Sequence, residues 1–199
     1  MKITKEWLEK ENACIDGLEW FTKQNKEFEP VPLLNLLIKK NQLDWTNWLV
    51  VRVMDYRQYV SYAVFAAEQV IDIFEKEFPD DKRPREAIEA AKKCIENPSD
   101  ENKKEAARAA SAAESAAERA YSTARAAYNS ARAAYSAAYS AADSAAWAAR
   151  AADSSADSSA DSAAWSSGSA AWGAKNAASN AKMLKKILKY GIELLREGK

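Results

Sequence analysis

Hydrophobic positions recur along the chain at intervals of three and four residues, which is the spacing of an amphipathic helix. The longest such pattern runs from Tyr56 to Glu77 and predicts one helix with a buried stripe. The stripe comprises Tyr59, Tyr62, Ala63, Ala66, Val70, Ile73 and Phe74. No segment shows the two-residue alternation of a half-buried strand. The pattern therefore predicts an all-α fold.

Polar residues and prolines predict where the other helices of the first half begin, since Ser, Thr and Asp favour N-caps and Pro favours the first turn. Helices are expected after Thr4, over residues 13–23, from Pro32 to Lys40, over residues 45–54 with Asp44 as N-cap, and from Pro84 to Asn97. The first half is thus predicted to be a series of short helices joined by tight loops.

Composition changes near Pro98, after which residues 106–181 are about half alanine. Alanine has the best intrinsic helix propensity, so this segment is also predicted to be helical. A single helix of roughly 76 residues would reach about 110 Å, far more than a small domain spans. The segment must therefore fold back, and we expect about three antiparallel helices before a C-terminal helix over residues 177–196 whose apolar face closes the bundle.

Residues 128–130, 153–155 and 168–173 carry Asn, Asp, Ser or Gly and are the predicted turns of the alanine-rich segment. Aromatic residues at seven-residue spacing are expected to anchor the packed helices. They are Tyr121, Tyr128 and Tyr135, then Trp165 and Trp172, with Tyr139 and Trp147 between the two sets. We predict a compact multi-helix bundle of closely packed antiparallel helices. Its N-terminal part, 1–98, holds a Trp and Tyr core, and its alanine-rich part, 99–199, packs on it as one integrated domain.

Charge and residue counts exclude several classes of function. The 29 basic and 29 acidic residues cancel, which argues against a nucleic-acid-binding protein. Without histidine there is no Ser-His-Asp or Cys-His nucleophile and no histidine-bound metal, so we expect no enzyme, cofactor or metal. Cys14 and Cys94 are expected to be buried free thiols. The absence of a long apolar run and the acidic N-terminus lead us to expect a cytoplasmic protein without a membrane span.

The segment 75–91 joins two predicted helices through a loop with two prolines and alternating charges. Arg83 or Arg85 can form bidentate hydrogen bonds with Asp80, Asp81 or Glu75 and so lock the corner between the helices. Alternatively, one of these arginines lies beside a helix N-terminus and binds an anionic ligand or an acidic partner. We favour the structural clamp and keep Asp81, Arg83 and Arg85 as candidate binding residues.

A second candidate cluster consists of Trp45, Trp48, Arg52, Tyr56, Arg57 and Tyr59. Aromatic rings beside arginines can stack on a base-like ring and hold phosphates. The alternative is ordinary packing. Trp48, Arg52 and Tyr56 are four residues apart, so on one helix face the rings would be core and the arginine would extend to solvent. We favour packing and keep Trp48, Arg52, Tyr56 and Arg57 as candidates for ligand or partner binding.

Two charged rows occur in the alanine-rich part. The acidic row is Asp153, Asp157 and Asp161, with Asp143 upstream, and the basic row is Arg125, Arg132 and Arg150. We interpret the acidic row as a solvated helix face, because the ligands of hard-cation sites converge from loops or from several helices. The arginines are expected to pair across helices with these acids.

Two strings in the chain resemble the immunity-five-like family of immunity proteins. They are Tyr62-Ala-Val-Phe-Ala-Ala-Glu68 and Glu75-x3-Pro79-x-Asp81-x-Arg83-Pro84-Arg85-x-Ala87-Ile88-x-Ala90-Ala91, followed by alanine-rich helices. The resemblance covers roughly residues 43–180. It implies an all-helical, non-enzymatic protein that neutralises a toxin, of a kind that is also common in phage genomes.

Two functions remain open at this point. The first is sequestration of a protein toxin or immune effector through an exposed charged face, as the resemblance implies. The second is a phage-encoded protein that captures a nucleotide-derived immune signal with arginine and aromatic side chains, in a pocket that is often built at the interface of a homodimer. An ice-binding bundle fits poorly, because Thr123 is the one threonine of the alanine-rich region. We place toxin binding first.

Overall fold

The computed structural model describes four stretches of the chain, namely residues 1–126, 142–152, 156–172 and 177–198. These stretches are built from α-helices and contain no β-strand, and the predicted all-α fold is confirmed. Ile3 and Phe28 form one isolated antiparallel bridge, in which Ile3 N donates to Phe28 O at 2.8 Å. None of the helices in the described stretches is long and apolar enough to cross a membrane.

Eleven helical stretches follow one another in these ranges. In chain order they are α1 (Lys5–Lys10), α2 (Ile15–Lys23), α3 (Pro30–Lys39), α4 (Leu43–Arg52), α5 (Tyr56–Glu68), α6 (Ile71–Glu77), α7 (Arg83–Glu96), α8 (Asp100–Ala126), α9 (residues 142–152), α10 (Ala156–Trp172) and α11 (Ala177–Glu197). The first half thus consists of short helices, as predicted, and α11 agrees with the predicted C-terminal helix to within one residue.

Side-chain caps fix the start of two helices. The Thr4 hydroxyl accepts a hydrogen bond from Trp7 N at 3.2 Å, so the predicted cap of α1 is confirmed. At the start of α5, Asp55 Oδ1 accepts from Gln58 N at 2.9 Å, while Asp55 N donates to Gln58 Oε1 at 3.0 Å. This reciprocal capping box satisfies backbone groups that a helix terminus otherwise leaves unpaired.

The start of α4 differs by two residues from the prediction. The helix begins at Leu43 with Gln42 in the cap position, so Asp44 is not the N-cap. Thr46 explains the earlier start, because its backbone N–H and its hydroxyl both donate to Gln42 O, at 3.0 and 2.6 Å. Asp44 therefore lies in the first turn, where a carboxylate still interacts favourably with the helix dipole.

The single helix predicted over residues 56–77 is wrong, because the chain bends between α5 and α6. Val70 leaves the helical conformation (φ −131°, ψ −8°) and Ile71 begins the next helix. Both side chains are buried, so the apolar spacing continues across the bend. The hydrophobic periodicity alone therefore does not reveal the interruption of the helix, which is determined by tertiary packing.

The core lies where helices from both halves of the sequence meet. α10 packs on α4 and α5, α11 packs on α3, α4 and α5, and α7 contacts both α5 and α8. The largest fully buried side chains are Tyr62, Phe74, Ile3, Leu33, Leu34, Leu49, Ile71, Ile88, Ile187 and Leu188. The division into parts at residue 98 stays a prediction, and these contacts support the expectation that the two parts form one unit.

Alanine and serine shape the contact between α5, α9 and α10. Small side chains let helix axes approach closely, which brings side-chain hydroxyls within reach of neighbouring backbones. Ser166 Oγ lies 3.0 Å from Ala63 O and 2.9 Å from Ser144 O, and Ser144 Oγ donates to Ser166 O at 2.8 Å. The serines of the alanine-rich part thus tie three helices together inside the bundle.

Asn47 joins α4 to this contact. Its Oδ1 accepts from the Tyr62 hydroxyl at 2.7 Å and lies 2.5 Å from Ser167 Oγ, while its Nδ2 donates to Ala164 O at 3.1 Å. Burial raises the pKa of the Tyr62 hydroxyl, which stays protonated and therefore a donor. Among the side chains that the structure describes, no buried polar atom lacks a hydrogen-bond partner.

Two expectations for the alanine-rich part are wrong. Trp165 is 61% exposed and stacks on Trp147, with 6.1 Å between the ring centroids. Seven-residue spacing places two residues on one helix face but does not say that this face is buried. α10 also continues through Gly168, since the surrounding alanines offset the low helix propensity of one glycine.

The remaining expectations for this part lie outside the described residues. These are the predicted turns at 128–130 and 153–155, the turn at Gly173, and the anchors Tyr128, Tyr135 and Tyr139. The side chains of Tyr121 and Trp172 also lie outside the description.

Gly191 allows α11 to approach the centre of the bundle. Ile187 and Leu188 of the same helix are fully buried, so the predicted closing of the bundle by α11 is confirmed. A Cβ added at Gly191 would come within 2.9 Å of two ring carbons of Tyr62 and 3.1 Å of Met54 Cε. Because the Tyr62 hydroxyl is hydrogen-bonded at its far end, this ring has little freedom to move away.

We predict that Gly191→Ala lowers the free energy of unfolding by about 1–3 kcal/mol, because the added methyl group overpacks the Tyr62 contact. The matched control is Gly168→Ala, where an added Cβ meets nothing within 4 Å. That change should raise the free energy of unfolding by about 0.4–1 kcal/mol, since alanine restricts the unfolded chain. Urea unfolding followed by circular dichroism measures both, and equal stabilities for the two variants would contradict the packing described for Tyr62.

Candidate functional site

Asp81 is the centre of the corner between α6 and α7. Its side chain is 6% exposed and accepts hydrogen bonds from Arg83 Nε at 2.9 Å and Arg83 Nη2 at 2.7 Å. A second guanidinium, from Arg119 of α8, also donates to Asp81 Oδ2. The Arg83 hydrogen bonds hold the pKa of Asp81 below its ordinary value. One carboxylate thus ties the loop to the start of α7 and to the side of α8.

A second bidentate pair closes the same corner. Arg85 Nε donates to Glu75 Oε1 at 2.9 Å, and Arg85 Nη2 donates to Glu75 Oε2 at 2.7 Å, which joins α7 to α6. These bonds lower the pKa of Glu75 and raise that of Arg85. The sequence predicted a bidentate clamp by Arg83 or Arg85, and the structure has one from each arginine, to Asp81 and to Glu75.

An open depression of about 660 Å³ lies beside the corner. Its walls are Glu77, Phe78, Pro79, Asp80, Asp81, Arg83 and Arg119. Both arginines of this wall already bind Asp81, so an anionic ligand would have to displace a buried carboxylate. The geometry favours the clamp, and the binding role of Asp81, Arg83 and Arg85 stays a prediction.

We predict that Asp81→Asn lowers the free energy of unfolding at pH 7 by about 1–3 kcal/mol, because the amide is uncharged and presents an NH2 donor to a guanidinium in place of one acceptor oxygen. The pKa of Asp81 is lower in the folded chain, so its stabilising contribution is present above about pH 4 and is lost as the pH falls through the folded-state value. The exposed neighbour Asp80 provides the control, Asp80→Asn. Denaturant unfolding from pH 7 to pH 2 should show the Asp81→Asn difference disappearing in acid; a difference that is constant with pH would contradict the clamp.

The second predicted cluster is divided between two helices. α4 ends at Arg52 and α5 begins at Tyr56, so the expectation that Trp48, Arg52 and Tyr56 share one helix face is wrong. The Asp55 capping box starts a new helix between them. Arg52 lies over the Trp48 ring, with Cζ 4.3 Å from the ring centroid, and donates from Nη1 to Trp48 O at 3.1 Å.

Tyr56 and Arg57 have different surroundings. The Tyr56 hydroxyl donates to Ala152 O at 2.7 Å, and Lys103 Nζ lies 5.4 Å from the centroid of the ring. Arg57 is exposed and forms no ion pair among the described residues. Tyr56 therefore packs, as favoured, whereas Arg57 extends into solvent.

The structure does not bring the two predicted clusters together. Tyr56 faces Lys103 near the start of α8, while Asp81 pairs with Arg119 sixteen residues further along that helix. At about 1.5 Å per residue, this separation is about 24 Å. The candidate residues belong to two sites rather than to one pocket.

An apolar cleft between α1, α2, α3 and α4 is a feature that the sequence reasoning missed. It encloses about 300 Å³ and presents three half-buried indole rings, from Trp20, Trp45 and Trp48. We call it the tryptophan cleft. The other residues that line it are Leu8, Asn12, Ala13, Cys14, Gly17, Phe21, Leu33, Leu37, Asp44 and Leu49.

Cys14 and Gly17 show how the cleft stays open. The prediction that Cys14 is buried is wrong, because Cys14 precedes α2 at the edge of the cleft and is exposed. The same prediction for Cys94 is confirmed. A Cβ at Gly17 would lie 3.2 Å from Cys14 Sγ and 3.9 Å from Trp45 Cε2. Glycine at this position therefore leaves space in the wall. The signal in the sequence was the number of tryptophans in residues 1–50, but spacing could not show that they meet.

The cleft and the Arg52 side chain form one continuous surface. Trp48 lines the cleft and carries the Arg52 guanidinium on its ring. Trp20 and Trp45 face each other at 6.0 Å between centroids, with their planes inclined by 53°. This part of the surface combines an apolar depression with charged groups at its edge, which is the usual composition of a recognition site.

The charged rows of the alanine-rich part are described only in part. The side chains of the acidic row and of Arg125 and Arg132 lie outside the described residues. Arg150 pairs with Glu114 of α8 and lies over Trp147, at 5.0 Å from the ring centroid, so Glu114 is an ion-pair partner that the sequence did not indicate. Nearby, Asp143 accepts from Ser169 Oγ at 2.6 Å, and burial raises the pKa of Asp143.

The fold defines the chain as an all-helical bundle protein with an apolar cleft on its N-terminal helices. A family model described as Imm-5 like putative immunity protein matches residues 50–166, which is more than half of the chain. The chain belongs to this family. Comparison with curated proteins found no match, and comparison with solved structures found none either.

The matched range is narrower than the predicted resemblance over residues 43–180. It includes the Asp81 corner together with Arg52, Tyr56 and Arg57. The residues that line the tryptophan cleft, from Leu8 to Leu49, all precede it.

Proposed function

We propose that the chain is a non-enzymatic immunity protein of the cytoplasm that binds a protein toxin directly and neutralises it by sequestration. Its family supports an immunity-like role. The observation that carries the binding mechanism is the tryptophan cleft with Arg52 at its edge. We assign partner binding to this surface.

The chemistry of the surface supports binding to a protein. Interface residues that contribute most to affinity are enriched in Trp, Tyr and Arg and lie in pockets from which water is excluded. Trp20, Trp45 and Trp48 supply large apolar area in a concave site, and Arg52 is already held in place by its hydrogen bond to Trp48 O. A side chain of the toxin that enters the cleft would bury this area with little loss of conformational freedom.

The position of the cleft in the sequence supports a division of roles. The matched range supplies part of the interior of the bundle, including Tyr62 and the serines that tie α9 and α10 to α5. The residues that line the cleft all precede that range, although α4 itself extends into it. We therefore assign recognition of a particular toxin to the lining residues of the cleft and the shared scaffold to the matched helices.

Capture of a nucleotide-derived anion has less support from the geometry. Arg83 and Arg85 are each held by a carboxylate through two hydrogen bonds, and Arg52 lies on Trp48. Arg57 is exposed but has no aromatic pocket around it in the described residues. An anion would have to compete with Asp81 or Glu75 for its ligands.

The test is a rescue experiment in cells. Single genes from the genome that encodes this chain are expressed in a host, and genes that arrest growth are selected for rescue by the chain. We expect a rescued gene whose product forms a stoichiometric complex with the chain. Trp20→Ala should abolish rescue and raise the dissociation constant by about 30-fold, since a central aromatic contributes about 2 kcal/mol. Trp165→Ala, at an exposed tryptophan far from the cleft in sequence, should behave as the wild type.

Three results would contradict this function. One is rescue that survives Trp20→Ala while the folded variant binds unchanged. Another is a nucleotide released from the denatured protein and detected by mass spectrometry, with no protein partner. The third is a homodimer, measured by sedimentation, in which a second copy covers the cleft.

A further inference from the structure

The tryptophan cleft is negatively charged at one end. Asp44 is the charged residue of its lining, is exposed, and forms no ion pair among the described residues, not even with Lys40 four residues before it. Arg52 is the basic residue of α4 and lies eight residues further along, about 12 Å along the helix axis. Its guanidinium is held over Trp48. The Asp44 end of the cleft is therefore suited to a cation.

The indole rings of the cleft can hold a cation. Trp20 and Trp45 pack against each other, with their planes inclined by 53° and their centroids 6.0 Å apart, and each ring stays half-buried. A cation placed over such faces is attracted by the electron density of the rings. An ammonium group is compact and donates in several directions, so it can contact an exposed ring face and a carboxylate at the same time.

The volume of the cleft and the residues at its base indicate which kind of side chain bears this cationic group. About 300 Å³ is at the lower end of ligand pockets and holds one long side chain rather than a cofactor. Leu33, Leu37 and Leu49 are buried beneath the rings and offer an apolar surface to a methylene chain. A lysine has this construction, with an aliphatic stem and a charged end.

We propose that the tryptophan cleft binds a lysine side chain of the partner, with the stem on the leucines, the ammonium group against the exposed faces of Trp20 and Trp45, and its charge balanced by Asp44. This inference rests on the proposed function, because it specifies the chemistry of the partner at the same site. It also assigns Asp44 a role in specificity. Asp44 belongs to neither of the two clusters predicted from the sequence.

The experiment uses butylammonium as a mimic of the lysine side chain and 1-butanol as its uncharged counterpart. Both are titrated into the ¹⁵N-labelled full chain at pH 7, and the indole N–H signals are followed by nuclear magnetic resonance. We expect the Trp20 and Trp45 signals to shift while that of Trp165 does not, and butylammonium to bind about fivefold more tightly than 1-butanol. Asp44→Asn should remove this preference and leave butanol binding unchanged. Glu19→Gln, at an exposed carboxylate of α2, is the matched control and should keep the preference.

Equal affinities for the two probes, or a preference that survives Asp44→Asn, would overturn the proposal. Micromolar binding of free butylammonium would also overturn it, because that affinity indicates a site for a small amine rather than for a partner's side chain. The proposed function and the proposed lysine site can be contradicted independently of each other. A toxin that is bound through the cleft without any preference for butylammonium leaves the proposed function intact, whereas a clear preference without any toxin supports the cation site alone.

Discussion

The contact of α10 with α4 and α5 is the constraint on which the rest of the structure depends. Alanine allows these helices to approach closely, but a close approach also brings backbone carbonyls and side-chain hydroxyls into a dry interior, where each needs a partner. Ser166 meets Ala63 O, and Asn47 satisfies both Tyr62 and Ser167. The alanine-rich half thus docks in one register, because a shift of α10 along its axis would leave these groups unsatisfied.

The charged residues of the α6–α7 corner fix local structure in this chain. The net charge is zero, and the cations of the α6–α7 corner are used locally, with Arg83 and Arg119 on Asp81 and Arg85 on Glu75. Bidentate pairs fix the direction of a loop more than they attract a distant partner. This is why the corner, which is the most recognisable string of the sequence, offers less to a ligand than its charge suggests.

Sequence reasoning succeeded where a local rule decides the structure and failed where distant residues meet. Thr4 as a cap, the Arg85 pair with Glu75 and the helix at the C-terminus follow from local rules. The bend at Val70 and the tryptophan cleft do not, because the apolar spacing passes through the bend, and Trp20 and Trp45 are brought together by the packing of α2 on its neighbours. The same limit explains why Trp165 was expected inside.

A tryptophan that stays half-buried contributes less to the stability of the fold than one that is fully covered. Each indole leaves apolar area in contact with water, and an exposed apolar depression on a small protein commonly marks a surface for a partner. The residues that line this depression all precede the family match, while Tyr62, Ser144 and Ser166 of the hydrogen-bonded interior lie within it. α4 contributes to both regions, because Trp48 lines the cleft and Asn47 meets Tyr62 and Ser167. The lining residues take no part in these interior hydrogen bonds, so the proposed recognition surface can change with its partner while the register of α10 stays the same.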